Sequence, residues 1–367
     1  MPEDRWEHGS NLHWVDLPRC PEDAAAHPWC RGTPRYYGSG RDAIRALLTY
    51  GVAECAWTRV WVPSYMCQAV ARVFRVAPLT VAVYEDDPRS EFPAIPTALK
   101  AGDVIFVVNT FAIRRRPDNV PAGVVAIEDH THDPWSRWAS ESRADYCLAS
   151  LRKTLPLPDG AVLWSPRAHN MPPEATISLQ DELSSAQRLA AAALKRVYLE
   201  GGSIEKAWFR SLFERGEELV DSRCSIAGMT HWARAMMEAF PVIAWRRERS
   251  RNWKYLRSRL LEVTDLEILA PPEASEDVPF TVVCLAPDQA SRAMVVRELV
   301  SRNVYSTILW PIAEATSLPG IPASTIELSE RVFTLHCDAR YSAEDLERVS
   351  LNVQEVVRCF GNSPTGQ

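Results

Sequence analysis

Between residues 59 and 164 the chain alternates short apolar runs with polar or helical stretches. Arg59-Val60-Trp61-Val62 reads as a strand ending at Pro63, and Thr80–Tyr84 as another. Val104–Val108 is apolar throughout, as strands buried on both faces of a parallel sheet are. Residues 124–127 and 145–149 repeat that pattern, and Ala161–Trp164 reads as a returning strand. Ahead of them, residues 41–49 place Ile44, Leu47 and Leu48 on one helical face. Strands alternating with helices predict an α/β fold built on a doubly wound, mainly parallel sheet. Ligands of such sheets sit beyond the carboxyl ends of the strands. Asn109, Asp129 and Ser150 all fall at those ends.

The flanks divide the rest. Residues 1–35 mix Pro, Trp and charge without a period and read as an N-terminal arm. Residues 36–240 form the large domain, with a helical stretch from 181 that runs on to 260. Residues 241–367 form a small C-terminal α/β domain. Its strands are expected at 280–284, 305–309 and 332–335, with a helix at 288–301. A last helix opens at Ser342, whose side chain can cap it, with Asp345 at the third position.

Composition narrows the class of function. At 46% hydrophobic and 24% charged, 367 residues can bury a large core. A net charge of -6 argues against a nucleic-acid partner. Arg114-Arg115-Arg116 is the longest basic run and reads as a solvated face. No apolar stretch is long enough for a membrane span, and the polar N-terminus has no signal-peptide pattern. Nine scattered cysteines without a Cys-x-x-Cys pair suggest neither zinc nor a disulfide framework. A cytoplasmic setting is expected.

Three motifs carry chemistry. Gly38-Ser39-Gly40-Arg41-Asp42-Ala43 opens a helix, and the free N–H groups of a helix start hold phosphate. An ordinary helix cap is the plain alternative. The string also matches a dinucleotide fingerprint, but Arg35-Tyr36-Tyr37 ahead of it is no hydrophobic strand, so that context is missing. Ile127-Glu128-Asp129-His130-Thr131-His132 puts an acid at a buried strand end, where it calls for a cationic partner such as a protonated pyridine nitrogen. A capping Asp, or a metal site of Asp129, His130 and His132, competes with that reading, and no further His or Asp cluster supports the metal. Ser150-Leu151-Arg152-Lys153 sets an amine straight after a strand, where it can condense with an aldehyde.

The order of these motifs, with Pro63-Ser64-Tyr65-Met66-Cys67 between them and Pro156-Leu157-Pro158-Asp159-Gly160 after them, resembles a family of sugar aminotransferases. That family is the DegT/DnrJ/EryC1/StrS group, of fold type I, and the resemblance spans roughly residues 36–360. It implies a transferase that binds pyridoxal 5'-phosphate (PLP) as a Schiff base on Lys153. Asp129 would meet the pyridine nitrogen and His132 would take the place of a family glutamine near the ring oxygen. Ser39, Gly40, Arg41 and Ser150 would hold the phosphate, with Asn109 at the adjoining strand end. Cys67 stands where the family places a stacking aromatic, Arg41 replaces a threonine, and Lys153 follows Ser150 by three residues instead of five. The partners implied are a small-molecule amino donor, a carbonyl acceptor and a second copy of the chain in a homodimer. PLP-dependent elimination, decarboxylation or replacement on an amino acid uses the same residues, as does a PLP-fold binding protein. The surplus of Trp, with Trp6, Trp14 and Trp29 in the arm, suggests that the arm packs across a partner subunit.

Overall fold

The computed structural model describes residues 5–9, 11–25, 27–223, 225–272, 275, 277–312 and 318–361. Its larger sheet has seven strands: β1 Arg35–Tyr37, β2 Arg59–Pro63, β3 Thr80–Tyr84, β4 Val104–Val108, β5 Val125–Asp129, β6 Tyr146–Ser150 and β7 Ala161–Trp164. They are ordered β1-β7-β6-β5-β4-β2-β3. β3, β2, β4, β5 and β6 run parallel, while β7 returns antiparallel on β6 and β1 on β7. The mainly parallel sheet expected from the apolar runs is therefore present. Arg35-Tyr36-Tyr37 differs from its reading: it forms β1, an edge strand that needs a partner on one side only, so its outer groups can be polar.

Helix α1, Gly40–Cys55, buries Ile44, Leu47 and Leu48 against Val60, Val62 and Phe106 on one face of the sheet. Near its end a Cβ on Gly51 would come within 1.9 Å of the Trp57 ring, so glycine is what lets the indole close over the helix. The other face of the sheet packs on Trp29, Trp135, Trp138, Trp164 and Trp245. The remaining helices are α2 Gln68–Val76, α3 Arg137–Ser140, α4 Leu179–Leu199, α5 Lys206–Asp221, α6 His231–Ala239, α7 Val242–Leu260, α8 Gln289–Ser301, α9 Ala323–Arg331 and α10 Ala343–Gly361. Gln180 reaches the Leu219 carbonyl and Ser184 the Gly216 carbonyl, so α4 and α5 form an antiparallel hairpin. Helix α7 carries Trp245 in the large core and Leu256 in the small one.

The smaller sheet is antiparallel throughout: β8 Glu267–Leu269, β9 Val282–Leu285 and β10 Val332–Leu335, in the order β10-β9-β8. The strand expected at 305–309 is not formed. Its backbone makes isolated pairings instead: His8 N–H donates to the Asn303 carbonyl and Tyr305 N–H to the His8 carbonyl, while Thr307 and Thr334 exchange both backbone hydrogen bonds. The cap of α10 is as read, with Ser342 and Asp345 exchanging hydrogen bonds.

Two further readings are corrected. The arm folds onto its own chain: Trp6 lies in the small core and Trp29 in the large one, so these aromatics lend no support to a partner interface. Arg114 is not solvated but 1% exposed, and its guanidinium forms a two-pronged pair with Asp86 at 2.7 and 2.9 Å. Burial of that charge is tolerated because both carboxylate oxygens and the Ser90 and Phe92 carbonyls accept its N–H groups.

Candidate active site

The register of the sheet brings the motifs together. Val108 pairs with Asp129 and Asp129 with Leu148, so β4, β5 and β6 end on one edge. Beyond that edge lies a cavity of about 550 Å³. Gly40, Cys67, Asp129, His132 and Lys153 line it. Ser150 sits at its border, where a Cβ on Gly40 would come within 3.1 Å of the Ser150 Cβ. Ser39, Arg41 and Asn109 stand behind this wall.

Asp129 is buried, and burial raises its carboxyl above the usual range. The Thr131 N–H donates to Oδ1 at 2.9 Å, and no Lys or Arg pairs with it among the described residues. A buried acid facing a cavity without a cation fits a protonated ring nitrogen. Asn109 extends this edge: its N–H donates to the Asp129 carbonyl at 2.9 Å. Its amide nitrogen donates to Ser136, while its buried Oδ1 has no hydrogen-bond partner among the described residues.

His132 is buried in a stack of aromatic rings. Phe280 lies 4.9 Å from it at 21°, and Trp310 5.7 Å at 17°. Phe111 N–H donates to His132 Nδ1 at 2.8 Å, which leaves the proton of the neutral ring on Nε2. Burial, then the nearby Lys153 charge, pushes its pKa down to about 3. The donor Phe111 and its neighbour Ala112 hold φ of 60° and 56°, a left-handed pair that is costly for residues with a Cβ. The metal reading does not survive this geometry. His130 Nε2 turns from Asp129 to Glu128, 3.0 Å away. There Glu128, His130 and Cys147 group their polar atoms within 4.8 Å of one another, under the tryptophans.

Lys153 closes the short turn Leu151–Lys153 that follows β6. Its side chain is exposed and opens into the cavity. The adjacent Arg152 charge, then desolvation, lowers its pKa to about 8. At the helix start, Ser39 caps α1 through Asp42, and Arg223 pairs with Asp42 at 3.1 Å. That cation neutralises an acid which would otherwise oppose a phosphate. The Gly40 and Arg41 N–H groups precede any intrahelical acceptor and remain available to an anion. The Arg41 guanidinium itself turns away to Asp221, at 2.6 Å. Cys67 begins α2 and contributes its half-buried side chain to the cavity.

Several cavity residues escaped the sequence reading. Arg188 from α4, and Arg210, Phe213 and Glu217 from α5, face it, as do Phe280 and Trp310 from the small-domain side. The spacing 210, 213, 217 on one face of α5 was the available signal.

A lysine, a buried acid and a helix start thus meet at the carboxyl edge of a seven-stranded, mainly parallel sheet. Solved structures with this fold include sugar aminotransferases at low identity. The aminotransferase TlmJ from Streptoalloteichus hindustanus is 15% identical, with a TM-score of 0.63 over 94% of this chain and 93% of that one. DesV from S. venezuelae, in complex with a ketimine intermediate, is also 15% identical, with a TM-score of 0.60 over 92% and 90%. The putative sugar aminotransferase Spr1654 from Streptococcus pneumoniae, in its PLP-form, is 12% identical, with a TM-score of 0.59 over 94% and 93%. No model of a protein family matches the sequence, and no curated protein matches it.

Proposed function

We propose that this chain is a PLP-dependent, aminotransferase-like enzyme that holds its cofactor on Lys153 and moves an amino group between small molecules. The observation that carries this is the convergence of Lys153, the unpaired acid Asp129 and the Gly40 helix start on one cavity. When bound, the cofactor supplies an aldehyde and an electron-accepting ring. Asp129 would keep the ring nitrogen protonated. Neutral His132 would donate from Nε2 toward the ring oxygen. The Gly40 and Arg41 N–H groups, with Ser150, would hold the phosphate. The Lys153 amine would attach the cofactor and would move a proton at the substrate Cα.

Transfer is favoured over elimination by the neighbour Spr1654, which has both a PLP-form and a PMP-form. These are the two cofactor states that amino transfer interconverts. A homodimer in the cytoplasm belongs to the same proposal. Borohydride reduction followed by peptide mapping tests the core of it. A pyridoxyl group on Lys153 is expected, and labelling of another lysine refutes the assignment. An amino donor added alone should convert the cofactor to its pyridoxamine form; a lyase would not accumulate it.

A further inference from the structure

The charges on the α4–α5 wall of the cavity do not balance. Arg152 donates to Glu217 through both terminal nitrogens, at 2.8 and 3.2 Å. Arg188 donates to the same carboxylate and, at 2.9 Å, to the Pro158 carbonyl. Two guanidiniums, with side chains 14% and 7% exposed, thus share one carboxylate. The crowding shows in both partners: burial and Arg152 lower the Arg188 pKa to about 9, and the two arginines overcome burial to hold Glu217 at about 2. Arg152 Nε is buried without a hydrogen-bond partner among the described residues. Arg210 adds a third guanidinium to this wall and Glu214, 3.9 Å from it, a second carboxylate, so three cations face two acids. A partly buried cluster in excess of positive charge is one anion short, and paired guanidiniums suit a carboxylate.

A second observation concerns the body of that anion. Phe280 and Trp310 line the same cavity, both half-buried and both within about 21° of the His132 plane. Aromatic rings with an accessible face favour a flat apolar group. In a single chain that cavity measures about 550 Å³.

Resting on the cofactor reading above, we propose that the substrate is a small carboxylate with a flat apolar body, an aromatic amino acid and its 2-oxo acid. Its carboxylate meets Arg152 and Arg188, and its ring meets Phe280 and Trp310. The exchange balances: the amino acid gives up its amino group and leaves as the 2-oxo acid, while the acceptor carbonyl becomes an amine.

3-Phenylpropionate tests this directly, because it carries the carboxylate and the ring but no amine or carbonyl. Calorimetric titration of the protein as purified should show saturable binding. Acetate and a nucleoside-diphosphate sugar should bind at least about ten-fold more weakly. Arg188→Gln and Trp310→Ala should each weaken 3-phenylpropionate about ten-fold or more, as loss of a charge-assisted contact or a stacked ring does. Circular dichroism checks that each variant folds; should Arg188→Gln not fold, Arg152→Gln takes its place. Absent binding of 3-phenylpropionate, tight binding of the nucleotide sugar in its stead, or affinity unmoved by the folded variants overturns the assignment. Unlabelled Lys153 together with intact 3-phenylpropionate binding instead refutes the cofactor reading, so the two failures are distinguishable.

Discussion

Replacing Arg152 by Gln should raise the pKa of Lys153, and replacing Glu217 by Gln should lower it. Arg152 is the largest influence that depresses this amine to about 8 from the ordinary 10.5, ahead of burial, and Glu217 opposes it. An amine with a pKa of about 8 is about one-tenth neutral at pH 7, against about three parts in ten thousand at 10.5. The depression therefore makes about 300 times more of the reactive form available. Arg152→Gln should forfeit a large share of that gain, while Glu217→Gln, which leaves both arginines uncompensated, should add to it. The two opposite signs separate electrostatics from general damage to the site. Competitive acetylation of cofactor-free protein, read at the Lys153 peptide by mass spectrometry across pH, gives the midpoint. A wild-type midpoint near 10, or variants that both move it the same way, would refute the reasoning. The linkage runs in step. A lysine depressed by folding opposes stability below about pH 8, and that opposition fades as pH rises from 8 toward 10.5.

Asp129→Asn should abolish turnover yet melt no lower than wild type at pH 7, because folding raises the Asp129 pKa and its ionised form opposes the fold; retained turnover in a folded variant would make Asp129 structural. Gly51→Ala should cost about 1–3 kcal/mol in urea unfolding, since its Cβ meets the Trp57 ring and overpacking outweighs the helix preference for alanine. An unchanged midpoint would show that the indole can move aside. Sedimentation at micromolar concentration should show a dimer, and a monomer that turns over substrate would refute a site shared between subunits.

The strand-end residues were legible because buried parallel strands are continuous apolar runs, and the next polar residue marks their carboxyl ends. Asp129 and Ser150 end such runs, and Lys153 follows one closely. The α4–α5 wall was not legible in the same way. Arg188, Arg210 and Glu217 are ordinary helix residues whose role depends on which face the hairpin turns inward. Residues 305–309 alternate like a strand, but they meet their neighbours only at isolated bridges, Val304 with His8 almost 300 residues earlier and Thr307 with Thr334, and no local pattern reports that. Arg114 looked solvated for the same reason: Asp86, 28 residues away, supplies the counter-charge.

The arm that bridges Val304 also sets the order in which the molecule can be completed. Lys195 binds Glu7 and the Asn11 carbonyl, and Arg340 binds the Gly9 and Asn11 carbonyls. Asn11 and Leu12 then form part of the cavity wall. Gly9 and its partner Tyr341 are 332 residues apart. The arm leaves the ribosome before the large sheet, but half of its docking surface is made some 332 residues later. Until then the tryptophan at position 6 has no core to enter, and the cavity lacks a side. Synthesis past Tyr341 therefore precedes a finished cavity, so a nascent chain stalled before that residue would be folded over much of its large sheet and still lack one wall of the cavity.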